Sequence, residues 1–211
     1  MRISVLLFVF SAFAIASVSF AAESKLPAAQ KKGGPATLEA IDKRASAVHN
    51  NFPASPVDDA ALSTILWAAS GLNRDGMLWT VPMALGKPPY CKIYVSNEKG
   101  VFLYKWRSHS LEQVSKTNAN HELFMQAAFK NVPAALYIVA DGEELAKMNN
   151  TMSEEFSLVL AGAMSQNIYL AAQSVNVGTR VVYSIKREDA KKFLNLGNKD
   201  KALFGMPMGK Y

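Results

Sequence analysis

One cysteine stands in a chain of 211 residues. That scarcity excludes a disulfide framework and a multi-cysteine zinc or iron–sulfur centre. Histidine is nearly as rare. His49, His109 and His121 are far apart with no carboxylate at metal-ligand spacing, so they read as surface or loop residues. The chain lacks GxGxxG, P-loop, HExxH and GxSxG motifs, which removes the common nucleotide, metalloprotease and serine-hydrolase signatures. It also lacks internal repeats. Charged residues make up only 19%, and the excess of Lys+Arg (23) over Asp+Glu (17) is scattered, so a net charge of +6 marks no nucleic-acid surface. What remains is apolar: 50% of the residues are hydrophobic, enough to build a sizeable core and to exclude disorder as the overall state.

The N-terminus has the form of an export signal. Met1-Arg2 precede an apolar run from Ile3 to about Phe20, and Ser19-Phe20-Ala21 place small residues before a cut at Ala21/Ala22. The alternative is an uncleaved membrane anchor, since the run is almost long enough to span a bilayer. No cysteine stands near the cut, which excludes a lipoprotein anchor. The expected location is periplasmic or secreted. Residues 22–36, with Pro27, Gly33, Gly34 and Pro35, read as a flexible leader before a domain over 37–211.

In that domain Thr37 is a candidate N-cap for a first helix, and Asp58-Asp59 open a second whose Leu62, Ile65, Leu66 and Ala69 share a face. Tyr90–Ser96 and Val101–Trp106 predict a hairpin turning at Asn97–Gly100. Cys91 lies on the first of these strands and reads as a buried small hydrophobe. Ala134–Ala140 reads as a buried strand and Glu143–Met148 as a helical turn. A long central helix runs from a Ser153 cap to near Gly178. Gln166, Asn167 and Gln173 interrupt it and argue against a membrane span. Thr179–Ile185 alternates like a strand, and Arg187–Leu194 reads as a short helix closed by Gly197. Helices and strands without regular βαβ alternation predict an α+β domain with a largely antiparallel sheet.

Several segments, in order, carry a resemblance. Lys43-Arg44-Ala45-Ser46 comes first, then Leu66-Trp67-Ala68-Ala69-Ser70-Gly71-Leu72-Asn73-Arg74, Trp79–Pro88 and the strand Gly100–Tyr104. Gln126 with Val132-Pro133, Ala161–Ala172, Gly178-Thr179 and Met206–Lys210 follow. Taken together, residues 38–211 resemble the nitroreductase superfamily, nearest to its azoline-oxidising dehydrogenase branch. The resemblance implies a three-layer α+β fold, with the long helix at a homodimer interface. It also implies FMN at that interface and hydride transfer to or from a small organic substrate, with NAD(P)H or another electron donor. The cofactor contacts it implies are Arg44 and Ser46 for the phosphate, Met83, Gly86, Lys87 and Gln126, and Tyr183 and Ser184 near flavin N5. It implies no catalytic side chain and no metal.

The chain departs from the family's pattern. Val48 stands where a further basic residue is expected. Trp79, Met83, Gly86 and Pro88 replace an arginine, a serine, an asparagine and a glutamine, and Tyr183 lies where a glycine-containing turn is usual. Each charged hydrogen bond lost from a phosphate is worth about 1.5–3 kcal/mol. The alternative reading is therefore a flavin-free dimer that binds another apolar or aromatic ligand, in a cleft lined by Trp79, Met83 and Tyr183, or a protein partner.

Overall fold

A computed structural model describes residues 23–82, 88–148 and 153–211. In chain order the elements are strand β1 (Glu23–Lys25), helices α1 (Thr37–Lys43) and α2 (Asp59–Ser70), and the two-residue strands β2 (Leu72–Asn73) and β3 (Leu78–Trp79). Strands β4 (Cys91–Asn97), β5 (Gly100–Lys105) and β6 (Ser110–Ser115), helix α3 (Asn120–Leu123) and strand β7 (Ala134–Ala140) follow. Helices α4 (Gly142–Lys147) and α5 (Ser153–Ser174), strand β8 (Val177–Thr179), helix α6 (Arg187–Phe193) and strand β9 (Lys201–Lys210) complete the order.

Among the described residues, seven strands form one antiparallel sheet in the order β1-β6-β5-β4-β7-β9-β8. Strand β7 sits inside it with all seven residues buried, so its side chains alternate between two cores. Leu136 and Ile138 join Leu62, Ile65 and Leu66 of α2 and Leu160, Met164 and Ile168 of α5. Tyr137 and Val139 face the other way, toward Leu123, Phe124, Ala190 and Leu194 around α3 and α6. The result is the expected α+β fold, with helices on both faces of the sheet. No helix among the described residues is long and apolar enough to cross a membrane.

Local chemistry explains the joints. Asp58 caps α2 by accepting from the Ala61 N–H at 2.9 Å, while its second oxygen pairs with Lys210 of β9. The β4–β5 turn needs Gly100, whose φ is +124° and whose Cβ would meet the Ser115 carbonyl at 2.2 Å. Gly209 is required for proximity: a Cβ there would lie 1.8 Å from the Pro53 carbonyl.

The structure departs from the sequence reading in five places. The segment expected to be a flexible leader supplies β1, which pairs with β6. Beyond it the Pro27 carbonyl accepts from Ser63 and the Gln30 N–H donates to Thr64, so backbone partners hold the segment against α2. Thr37 is the first residue of α1 rather than its cap, and Ala36 in the cap position offers no side-chain acceptor. Helix α5 ends at Ser174, where Asn176 takes a left-handed conformation and turns the chain into β8. Regular pairing of Thr179–Ile185 stops at Thr179. Beyond it only Val182 bridges to Gly205 and Ile185 to Phe124 among the described residues, because the segment leaves β9 to cross to residues 123–125. Finally, α6 ends at Phe193, and Gly197 belongs to the following turn, where its N–H donates to Asp200.

His109 stitches the N-terminal segment to the core. The Ser63 hydroxyl is 2.6 Å from the Pro27 carbonyl and 2.7 Å from His109 Nε2, and His109 Nδ1 is 2.8 Å from the Tyr104 hydroxyl. Ser63 has one proton and the Pro27 carbonyl can only accept. Nε2–H must therefore donate to Ser63, and Nδ1 must accept from Tyr104. The imidazole is held neutral: burial lowers its pKa, Lys31 adds to this, and the Pro27 carbonyl opposes it only in part. Protonation puts a second N–H against Tyr104 and costs the network its last acceptor. A folded-state pKa below the unfolded value means acid favours unfolding. The stability this group contributes is full above about pH 6.5 and is lost as pH falls below it. Melting temperature should thus decline between pH 7 and pH 5. His109→Asn suits the φ of +50° there and should melt lower at pH 7 yet show a shallower decline. An equally steep decline in that variant would place the titrating group elsewhere.

Candidate functional site

Segment 179–186 organises the site. At its start the Ala47 N–H donates to the Thr179 carbonyl at 2.9 Å, which sets the chain after α1 beside β8. At its end the Met125 N–H donates to the Ser184 carbonyl and the Lys186 N–H to that of Leu123. One stretch therefore has the chain of Arg44 and Ser46 beside its start and Leu123–Met125, next to Gln126, beside its end, with Tyr183 and Ser184 between. Met83, Gly86 and Lys87, also expected at the site, lie outside the described residues.

Tyr169 of α5 occupies the corner between Arg44 and this segment. Its hydroxyl accepts the Val181 N–H at 2.8 Å and lies 2.9 Å from the Ser46 hydroxyl. The Arg44 guanidinium stacks 5.1 Å from its ring centroid. Arg180 donates to the Ala47 carbonyl at 3.2 Å and lies over Phe129. Neither arginine forms an ion pair with a carboxylate among the described residues. Val48 is 62% exposed and brings no charge.

Beyond the corner, the backbone N–H groups of Tyr183 and Ser184 have no acceptor among the described residues. Their neighbours do: Val182 pairs with Gly205, and Ile185 donates to the Tyr183 carbonyl. Gln126 is exposed just before a 3-10 turn at Ala127–Phe129. The donor set is thus two guanidinium groups, one hydroxyl and two adjacent peptide N–H groups. It suits a ligand with an anionic end and a polar, acceptor-bearing edge, and a flavin mononucleotide meets both requirements.

The Tyr183 side chain, expected near flavin N5, is 66% exposed. It is stacked at 4.2 Å by Arg187, whose guanidinium also donates to the Tyr183 and Leu203 carbonyls. It lines a cavity of about 440 Å³ with Leu158, Arg187 and Lys191. Trp79 packs edge-on against Trp106 at 5.7 Å, and its buried indole N–H has no partner among the described residues. Trp79 and Tyr183 thus have different neighbours among the described residues, and Met83, the third residue expected in their cleft, lies outside them. Asn167, part of the central-helix motif, holds the scaffold: its amide donates to the Ala68 and Thr80 carbonyls. Cys91 is buried with its thiol against the Ser157 carbonyl, and burial together with the Asp141 charge raises its pKa. It is no nucleophile.

Sequence reasoning missed Tyr169 and Arg180. A tyrosine on an apolar helix reads as core, although its hydroxyl demands a partner. Arg180 looked like an outward-facing strand residue.

Comparison with known proteins places the chain in a family. Residues 41–210 match the family model described as the nitroreductase family. A protein of Methanocaldococcus jannaschii described as a candidate nitroreductase is 29% identical over 170 residues, covering 75% of this chain and 84% of its own. The crystal structure of a candidate nitroreductase from Ralstonia eutropha superposes with a TM-score of 0.78 at 25% identity, covering 89% of each chain. The NADPH:FMN oxidoreductase of Vibrio harveyi, solved with NAD+, shares the fold with a TM-score of 0.55 at 21% identity, over 82% of this chain and 68% of its own. The matched span contains both ends of the site, Arg44 and Ser46 on one side and residues 179–186 on the other, and the chain belongs to the nitroreductase family.

Proposed function

We propose that the protein is an exported, FMN-dependent oxidoreductase that works as a homodimer and passes a hydride between an electron donor and a small organic substrate. The observation that carries this reading is the pair of N–H groups at Tyr183 and Ser184, without acceptors among the described residues, on the same segment that adjoins Arg44 and Ser46. Arg44 and Ser46 would hold the phosphate, with Arg180 supplying the positive charge that Val48 lacks. The Tyr183 and Ser184 N–H groups would fix the polar edge of the ring. FMN so bound would supply hydride transfer at its N5, with NAD(P)H or another two-electron donor as reductant. The protein's own contribution is to bind, orient and polarise.

Two surfaces favour the dimer. Leu158 and Val159 of α5 are 51% and 69% exposed, and Leu38 of α1 is 80% exposed. Space beside Gly162 of α5 is open, with no atom within 4 Å of a built Cβ. Apolar faces of this kind are ordinarily covered by a partner. Export rests on the N-terminal run with its small residues at Ser19 and Ala21, which lies outside the described residues.

The test uses residues 22–211, purified and titrated with FMN while flavin absorbance and oligomeric state are followed. Saturable binding at micromolar levels or tighter by a dimer, with the bound flavin reducible by NADPH or dithionite, is the expected result. A colourless dimer that ignores FMN would overturn the flavin reading and leave the flavin-free alternative.

A further inference from the structure

We propose that Tyr169 is a positioning residue of the site, building a clamp for a phosphomonoester from Ser46 and Arg44; the inference rests on the flavin reading above. The argument is one of proton counting. The Tyr169 oxygen already accepts the Val181 N–H at 2.8 Å. An anion beside Ser46 selects the arrangement in which Tyr169 donates its proton to the Ser46 oxygen, 2.9 Å away, and Ser46 gives its own proton to the anion. The chain Val181 N–H, Tyr169 O–H, Ser46 O–H then runs in one direction, each link polarising the next toward the negative charge. Without the phenol, the Ser46 hydroxyl is a free rotor.

The ring of the same tyrosine sets Arg44. A guanidinium lying over an aromatic ring is held near it while its N–H groups and its full charge remain available. One side chain from α5 therefore orders both phosphate donors and ties them to the segment that carries the free N–H groups. The departures at Val48 and Trp79 remove cations that other arrangements could use. Tyr169 answers that loss with geometry rather than with another charge.

The test compares wild type and Tyr169→Phe with three probes: FMN, riboflavin and phenyl phosphate. Phenylalanine keeps the ring beneath Arg44 and loses only the hydroxyl. FMN affinity should fall about tenfold, riboflavin affinity should be unchanged, and the rise in melting temperature produced by phenyl phosphate should shrink. Without any ligand, exchange of the Val181 amide should quicken. Ser46→Ala added to Tyr169→Phe should cost little more, since the relay is already broken. That second step holds even if Tyr169→Phe lowers overall stability.

The outcomes separate. If wild type prefers FMN to riboflavin and Tyr169→Phe keeps that preference, the role of Tyr169 is overturned while the flavin reading stands. If wild type binds neither flavin but phenyl phosphate stabilises it through Tyr169, the flavin reading fails and the clamp stands. If phenyl phosphate and FMN are both ignored, both fail.

Discussion

Asp200→Ala is expected to destabilise the protein by about 3 kcal/mol or more, a large loss for a polar side chain. Asp200 is 3% exposed and carries four hydrogen bonds. Lys92 reaches both its oxygens, at 3.0 and 2.9 Å, and the Gly142 and Gly197 N–H groups donate to it at 3.1 and 3.2 Å. These bonds pin the turn before β9 to β4 and to the start of α4. Alanine leaves a half-buried ammonium with Asp141 alone, 3.2 Å away, and two peptide N–H groups without acceptors. The electrostatics agree in sign. Burial by itself lowers the Lys92 pKa, but its bonds to Asp200 and the Asp141 charge outweigh burial and hold it above the ordinary lysine value. The ammonium's share of the contribution is complete at neutral pH and is lost as alkali strips its proton, above about pH 10.5. Urea unfolding with an unchanged slope would measure it. A change under about 1 kcal/mol would mean that the turn stands without this carboxylate.

The second large effect belongs to the ligand site. Arg44→Gln should weaken FMN binding about 10- to 100-fold while moving the unfolding midpoint little, because a charged bond to phosphate is worth about 1.5–3 kcal/mol and Arg44 makes no ion pair among the described residues. Arg180→Gln should weaken FMN by a smaller factor, since part of that guanidinium is committed to the Ala47 carbonyl. Fluorescence quenching titrations of both variants rank the two cations. An Arg44→Gln protein with wild-type FMN affinity would move the phosphate away from this corner.

The parts of the fold legible in the sequence are those whose hydrophobic period is local. Asp58 before Leu62, Ile65 and Leu66 announces a capped, one-sided helix, and α2 is that helix. The apolar run Ala134–Ala140 announces a strand buried on both faces, and β7 has no exposed residue. Strand β9 was invisible because Gly205, Pro207 and Gly209 read as breakers. Tertiary contacts reverse each of them. Gly205 makes room for the rings of Phe124 and Tyr137, and Gly209 for the backbone of Pro53. Pro207 falls between the Val182 bridge at Gly205 and the end of β8 opposite Met208, while Thr179 donates to its carbonyl at 2.9 Å. Strand β6 and the pairing of Glu23–Lys25 also escaped, since neither has a clear apolar alternation and the second depends on the first.

The site divides along the same line. Arg44 and Ser46 were legible as a motif, and Tyr183 and Ser184 as a position in order along the chain. Sequence could not show that the backbone N–H groups of 183 and 184 lack acceptors among the described residues, or that Arg187 lies over the Tyr183 ring. Nor could it show that Tyr169, 123 residues from Ser46, completes the corner. Both facts arise where segment 179–186 leaves the sheet.

The most direct test of the flavin site is residue-resolved amide hydrogen exchange, or amide chemical shifts, for residues 179–186 with and without FMN. The account predicts that the Tyr183 and Ser184 amides gain protection or shift strongly on adding FMN, while those of Val182 and Ile185, already bonded within the chain, change little. Binding of FMN that leaves both amides untouched would contradict it and place the flavin elsewhere on the molecule.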